Sequence, residues 1–166
     1  MQHFHIIIFL GFNETYDNLS YKTLSIMYWV NHRINNGRFK PKWIFKVDDD
    51  NLVDIYNLEN YLKSLENNHN HNNNIIENPK RIYCYVRDDA TPIRPGHNFV
   101  DAFEKWAVDR ETWSQPLYPK CCYGPAYILT PDSVLGIVDA YEKSLVTFSK
   151  FEDIYITGKQ VRINSH

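Results

Sequence analysis

The chain has 166 residues, 43% of them hydrophobic and 23% charged, with a formal net charge of -2, which describes one folded domain with enough chain to bury a core. So small a charge, with no Lys/Arg run, provides no basic surface to release counterions from a nucleic acid, and no nucleic acid is expected as a partner. The apolar run Ile6 to Leu10 is far shorter than the ~20 residues of a spanning helix and lacks a charged flank, so no stretch as written is expected to enter a membrane or to serve as a signal peptide.

In chain order, Phe4 to Phe9 is short and rich in β-branched and aromatic residues, which predicts a buried strand, and the chain turns at Gly11. From Asn18 the residues Leu19, Thr23, Ile26, Met27, Val30 and Ile34 recur at helical spacing, and Asn35, Asn36 and Gly37 supply the stop. Trp43 to Val47 predicts a second strand after Pro41, and Ile55, Leu58, Tyr61, Leu62 and Leu65 form the stripe of a second helix. Glu66 to Asn78 is dominated by Asn and His and reads as a long flexible surface loop, with His69 and His71 solvated. Arg81 to Val86 resumes as a strand, followed by an irregular Pro- and charge-containing stretch through Gly96. Tyr127 to Leu129 predicts a short strand. Thr130 as N-cap and Pro131 at the first helical position then open a helix carrying Val134, Leu135, Val138 and Tyr141. Alternating strands and helices imply an α/β sandwich with a largely parallel sheet, in one domain spanning residues 1–166, without repeat or linker. Cys84, Cys121 and Cys122 are odd in number and two are adjacent, so spacing prescribes neither a disulfide framework nor a zinc site, and it leaves the compartment open.

Two acidic stretches interrupt this pattern. Asp48, Asp49 and Asp50 follow the second strand directly. They can be a solvated turn that caps the next helix. They can also be a ligand site, because open α/β sheets bind ligands at the carboxyl ends of their strands. At a strand end Asp48 and Asp50 would share one side while Asp49 points away. Like charges held that close are reconciled by a hard divalent cation, which usually completes its shell with phosphate oxygens, so the chemistry suggested is a nucleoside diphosphate site. The second stretch, Glu152-Asp153, is embedded among aromatic and β-branched residues. It reads either as the acidic start of a helix or as the base for a transfer to a hydroxyl. Lys105, Trp106, Trp113 and Tyr118 are either core or the wall of a sugar site. Asn13-Glu14-Thr15 and Asn18-Leu19-Ser20 fit the N-glycosylation pattern, which matters only in a lumenal compartment.

Six segments occur in an order that resembles the β1,3-galactosyltransferase family, which includes β1,3-N-acetylglucosaminyltransferases and is distantly related to Fringe. They are Glu14 to Thr23, Lys46 to Asp50, Pro92-Ile93-Arg94, Lys105 to Val108, Tyr118-Pro119 through Gly124 to Tyr127, and Glu152-Asp153. The resemblance implies a GT-A type, Rossmann-like fold and a Golgi enzyme. That enzyme would move galactose or N-acetylglucosamine from a UDP-sugar donor to a hydroxyl of a glycan acceptor on a glycoprotein or glycolipid, in β1,3 linkage with inversion, using Mn²⁺ or Mg²⁺. It also implies that Asp50 and Asp48 bind the metal, with Lys46, Asp48 and Asp49 on the donor side and Asp49 mainly structural. Asp153 would be the catalytic base and Glu152 its orienting neighbour, with Lys105, Trp106, Tyr118 and Gly124 toward the substrate. Cys121, Tyr123 and Pro125 depart from the family pattern. Family members carry an N-terminal anchor, a stem and uridine-binding strands before this region and a histidine-bearing segment after it. The resemblance therefore implies a partial catalytic domain, lacking sequence on its N- and C-terminal sides, whose membrane attachment lies outside it on the lumenal side of the Golgi. The rival expectation is a carbohydrate-binding fragment or pseudoenzyme without a donor pocket.

Overall fold

The structure, a computed structural model, describes residues 10–13, 15–71, 80–96 and 101–160, with the side chains of 68–71, 101–103 and 160 left aside. The strand expected over Phe4 to Phe9 lies outside the described residues. A single 3-10 turn, Tyr16–Asn18, leads into helix α1, Leu19–Asn35. Its buried face is Ser20, Thr23, Leu24, Met27 and Val30, the three- and four-residue spacing of an amphipathic helix. Leu24 belongs to that face, whereas Ile26, expected there, is 38% exposed because it falls off the row that begins at Ser20. Gly37, at φ 65°, closes the helix with its amide on the Ile34 carbonyl.

Strand β1 is Ile44–Val47 and helix α2 is Ile55–His71. The helix therefore runs past Glu66, and the start of the segment expected as a loop is helical through His71. Glu66 accepts from Lys42 Nζ at 2.8 Å and from Trp43 Nε1 at 3.3 Å. That tethers the late turns of α2 to the entry of β1, and an anchored helix extends at one new bond per residue even through poor formers. The remainder of the expected loop, 72–78, lies outside the described residues.

Strands β2, Ile82–Arg87, and β3, Cys121–Leu129, complete a sheet of order β1-β3-β2 in which both pairings are antiparallel. The expected parallel sheet is thus overturned among the described strands, for a topological reason. β1 and β2, joined through α2, do run in the same direction, since each is antiparallel to β3, but β3 inserts between them. β3 is also longer than the expected Tyr127 to Leu129. Its first half carries Gly124-Pro125, where the pairing with β2 is irregular. The pairing passes from Cys84↔Tyr127 to Val86↔Cys122 across it. A Cys84–Cys122 disulfide clamps that point, while Cys121 stays free and buried.

Helix α3, Pro131–Glu142, has Thr130 at its N-cap position, as expected, but the hydroxyl does not bond the helix amides. It accepts the Arg81 amide at 3.0 Å and pairs with Ser133 Oγ at 2.9 Å, tying α3 to the entry of β2. A π-helix, Asp153–Gln160, follows. The core lies between one face of the sheet and these helices, with Met27, Tyr127, Leu129, Val134, Ile137, Tyr155 and Ile156 almost fully buried. Burying each such side chain stabilises by about 1.5–3 kcal/mol. A second cluster of Val108, Cys121, Phe151 and Ile154 supports Trp106, Trp113 and Tyr118. No described helix is long and apolar enough to cross a membrane.

Candidate functional site

Asp48 to Asp50 do not continue β1. The Asp48 amide donates to the Pro125 carbonyl at 2.9 Å, and the Asp48 carbonyl then accepts the Asn51 amide at 3.2 Å, closing a turn. The alternation argument that placed Asp48 and Asp50 on one side of a strand therefore does not apply. The capping alternative is also resolved, because Asp54 takes that role: its Oδ1 accepts the Asn57 amide at 3.0 Å. Asp49 and Asp50 are exposed, and Asp50 Oδ1 accepts from Asn51 Nδ2 at 2.8 Å. Asp48 is half-exposed and tied to Lys46 Nζ at 2.6 Å.

Lys46 is the point where this turn meets the second acidic stretch. Its Nζ donates to the Gly124 carbonyl at 2.7 Å, lies 3.6 Å from Glu152 Oε2 and sits 5.4 Å from the centre of the Tyr127 ring. Tyr127 in turn donates its hydroxyl to Glu152 Oε1 at 2.5 Å. Glu152 is buried, and burial pushes its carboxyl above the ordinary range; the Lys46 ammonium and the Tyr127 hydroxyl oppose that shift, and the Asp153 and Asp48 charges add to it. Tyr127 is driven well up by its own burial and by the Glu152 charge.

Asp153 begins the π-helix. Its Oδ1 accepts the adjacent Ile154 amide at 2.8 Å, and a Cβ at Gly124 would lie 3.6 Å from Asp153 Cβ and 3.9 Å from Oδ2, so the glycine leaves open the space beside the carboxylate. Burial raises the Asp153 carboxyl above its usual value, against the Ile154 amide and the more distant Arg87 and Lys46 charges. Thr157, one turn on, accepts the Cys122 amide at 2.8 Å and donates to the Asp153 carbonyl at 2.6 Å, so the disulfide-bonded end of β3 steadies the helix that carries Asp153. A π-helical turn is rare and often accompanies a functional site.

The aromatic residues form two groups. Trp106 donates Nε1 to the Tyr16 hydroxyl at 2.5 Å, with Lys105 Nζ 4.5 Å from the Trp106 ring. The Tyr16 phenol is raised chiefly by burial, and the Asp153 and Asp48 charges also raise it, which puts this pair within electrostatic reach of both acidic stretches. Tyr118 packs on Trp113 and Phe151 at centroid distances of 5.2 and 6.0 Å. Burial pushes its phenol up to about 12, and its hydroxyl has no partner among the described residues. Arg94 organises the segment between them, donating to the carbonyls of Val108, Asp109, Trp113 and Gln115.

The structure therefore joins Lys46, Asp48, Gly124, Glu152 and Asp153 in one place, with Trp106 and Lys105 beside it and Tyr118 behind Phe151. Sequence reading gave no individual role to Tyr16, Tyr127 or Thr157. Tyr16 and Tyr127 lie inside the segments that carry the family resemblance, but only the fold shows what they touch; Thr157 carries no signal beyond its nearness to Asp153.

Any metal would have to be held by carboxylate oxygens. Among the described residues no group of three or more His, Cys, Asp or Glu side chains converges in a way that could hold an ion. A site built from protein ligands alone is therefore not what these residues fit. One or two carboxylates from the exposed turn, with the shell completed by phosphate oxygens, is an arrangement they do fit.

Over residues 1–164 the chain matches the family described as Galactosyltransferase. It is 33% identical over 158 residues to mouse Beta-1,3-galactosyltransferase 1, covering 93% of this chain and 41% of that protein. It is 28% identical over 160 residues to Hydroxyproline O-galactosyltransferase GALT5 of Arabidopsis thaliana, covering 93% of this chain and 20% of the relative. Identity to UDP-GalNAc:beta-1,3-N-acetylgalactosaminyltransferase 1 of Sus scrofa is 27% over 150 residues, covering 90% of this chain and 39% of the relative. The chain thus spans less than half the length of these curated relatives.

Proposed function

The chain belongs to the galactosyltransferase family, and from that premise we propose that it is the catalytic part of a hexosyltransferase. It would move galactose or N-acetylglucosamine from a UDP-sugar to a glycan hydroxyl in β1,3 linkage, on a GT-A type domain. The observation that carries this reading is the meeting of the two acidic stretches at Lys46, which puts an exposed aspartate turn next to the buried Glu152 and its half-buried neighbour Asp153.

In this reading the turn faces the donor diphosphate, with Asp50 and Asp48 holding a divalent cation, Mn²⁺ or Mg²⁺. A bound cation would supply positive charge to the leaving diphosphate. Asp153 takes the proton from the acceptor hydroxyl as its oxygen bonds to the anomeric carbon; the bond from that carbon to the diphosphate breaks and UDP departs, leaving the anomeric centre inverted. The raised Asp153 carboxyl suits a base that must hold the proton it receives. Gly124 leaves room for the acceptor oxygen beside it, and Tyr16 and Trp106 offer aromatic surface to a pyranose ring. The Cys84–Cys122 disulfide supports a folding site in an oxidising compartment and hence a lumenal, Golgi-type location.

The second reading, a carbohydrate-binding module without catalysis, keeps the aromatic surface of Tyr16 and Trp106 for a sugar and needs no metal. A panel of UDP-sugars with Mn²⁺, read as UDP release with and without acceptor glycans, separates the two. Release from UDP-galactose or UDP-N-acetylglucosamine that rises with acceptor supports the transferase. UDP binding without release supports the module, and turnover only with a non-UDP donor overturns both donor assignments.

A further inference from the structure

Lys46 has the surroundings of a fixed cation rather than of a ligand-binding one. Its side chain is 13% exposed, and three acceptors from three elements surround the ammonium: Asp48 Oδ1 in the turn after β1 at 2.6 Å, the Gly124 carbonyl in the irregularity of β3 at 2.7 Å, and Glu152 Oε2 at the entry of the π-helix at 3.6 Å. Two of its three N–H donors are taken by short hydrogen bonds to Asp48 and Gly124, and Glu152 faces the same ammonium at ion-pair distance. Glu152 is held at both oxygens, by Lys46 on one and by the Tyr127 hydroxyl on the other. Drawing this little-exposed ammonium toward a diphosphate would take it from the Gly124 carbonyl or weaken its pairing with the buried Glu152 carboxylate, which is costly.

We propose that Lys46 is a positioning residue that sets the spacing between the Asp48 turn and the Glu152-Asp153 pair, and that it does not contact the donor. The claim rests on the transferase reading for its effect on turnover, but the bridge itself is testable without any activity. If Lys46 neutralises the buried Glu152, removing the cation harms folding because it strands that charge, and neutralising Glu152 removes most of the harm.

The experiment compares Lys46→Met, Glu152→Gln and the double variant in the full chain by thermal unfolding at neutral pH, by calorimetric binding of UDP with Mn²⁺, and by UDP release from UDP-galactose. Lys46→Met is expected to melt about 5–10 °C below wild type, and Glu152→Gln in the same chain to recover at least half of that loss. The double variant is expected to bind UDP with Mn²⁺ within about threefold of wild type while its turnover falls more than tenfold. Additive thermal effects, or a double variant no more stable than Lys46→Met alone, overturn the bridge. A UDP affinity that falls about tenfold or more with unchanged melting makes Lys46 a donor ligand and overturns the positioning claim. A wild-type chain that binds no UDP sinks the proposed function instead, and the thermal cycle still decides the bridge.

Discussion

The two acidic stretches use the same side chains in opposite surroundings. Asp49 and Asp50 stand in water on a turn, where a carboxylate can exchange ligands at little cost. Glu152 and Asp153 begin a π-helix that packs into the core, and burial is the largest influence on both, raising each carboxyl. One surface suits charge that binds and leaves; the other suits a proton that arrives and stays. Lys46, held between them, belongs to both.

The largest effect expected from breaking this contrast is at Asp153. Asp153→Asn keeps the shape and can still accept the Ile154 amide, but it cannot take a proton. Turnover should fall by ~10² to 10⁴ with UDP affinity nearly intact. Melting temperature should hold or rise, because the substitution removes a carboxylate whose charged form partial burial disfavours. Measuring UDP release, UDP affinity and melting on one protein reads all three. A stable variant with near-wild-type turnover leaves Asp153 as a helix-start residue and reopens the search for the base.

The exposed stretch should respond in binding instead. Asp50→Asn removes charge and a ligand together and should weaken UDP–Mn²⁺ binding by about tenfold or more, whereas Asp49→Asn should change it by less than about threefold. Both residues are exposed, so neither substitution should move the melting temperature by more than a degree or so. Calorimetric titration of Mn²⁺ with UDP present checks the difference, and equal losses from the two variants would undo the assignment of Asp50.

The sequence made these stretches visible but not their surroundings. Periodicity located α1, α2 and α3 because the stripes that define them are local, and the stop at Gly37 and the start at Pro131 are local as well, whereas the Thr130 hydroxyl turns to Arg81 in place of the helix amides. It could not say that β3 inserts between β1 and β2 and makes both pairings antiparallel, because strand order is a long-range property. Nor could it say that Asp54, rather than Asp48 to Asp50, caps α2, since several aspartates in a short window compete for one cap on equal propensity. Cys84–Cys122 was hidden by the adjacent Cys121, a choice that only the register of β2 on β3 decides. At the site, Asp48, Glu152 and Asp153 stood out as charges in unusual company. Tyr127, which bonds Glu152 at 1% exposure, looked like any other core aromatic.

The smallest expected effect concerns stability against pH, and it sharpens the contrast without any substrate. Burial holds the Glu152 carboxyl above 4.5 in the folded chain, and the opposing Lys46 and Tyr127 contacts do not cancel that rise. A carboxyl raised on folding binds its proton more tightly in the native state. Its contribution to stability is therefore fully present below pH 4.5, the unfolded value, and is lost as pH rises through the folded one. Glu152→Gln, which keeps an acceptor for the Tyr127 hydroxyl, should differ least from wild type near pH 4. Its advantage should grow with rising pH until wild-type Glu152 is fully ionised, and then stay level. Urea unfolding of both proteins at intervals from pH 4 to 8 measures these curves. A Glu152→Gln chain that loses ground as pH rises would mean that Lys46 more than repays the burial of Glu152, and the pair would then stabilise the ionised form instead of tolerating it.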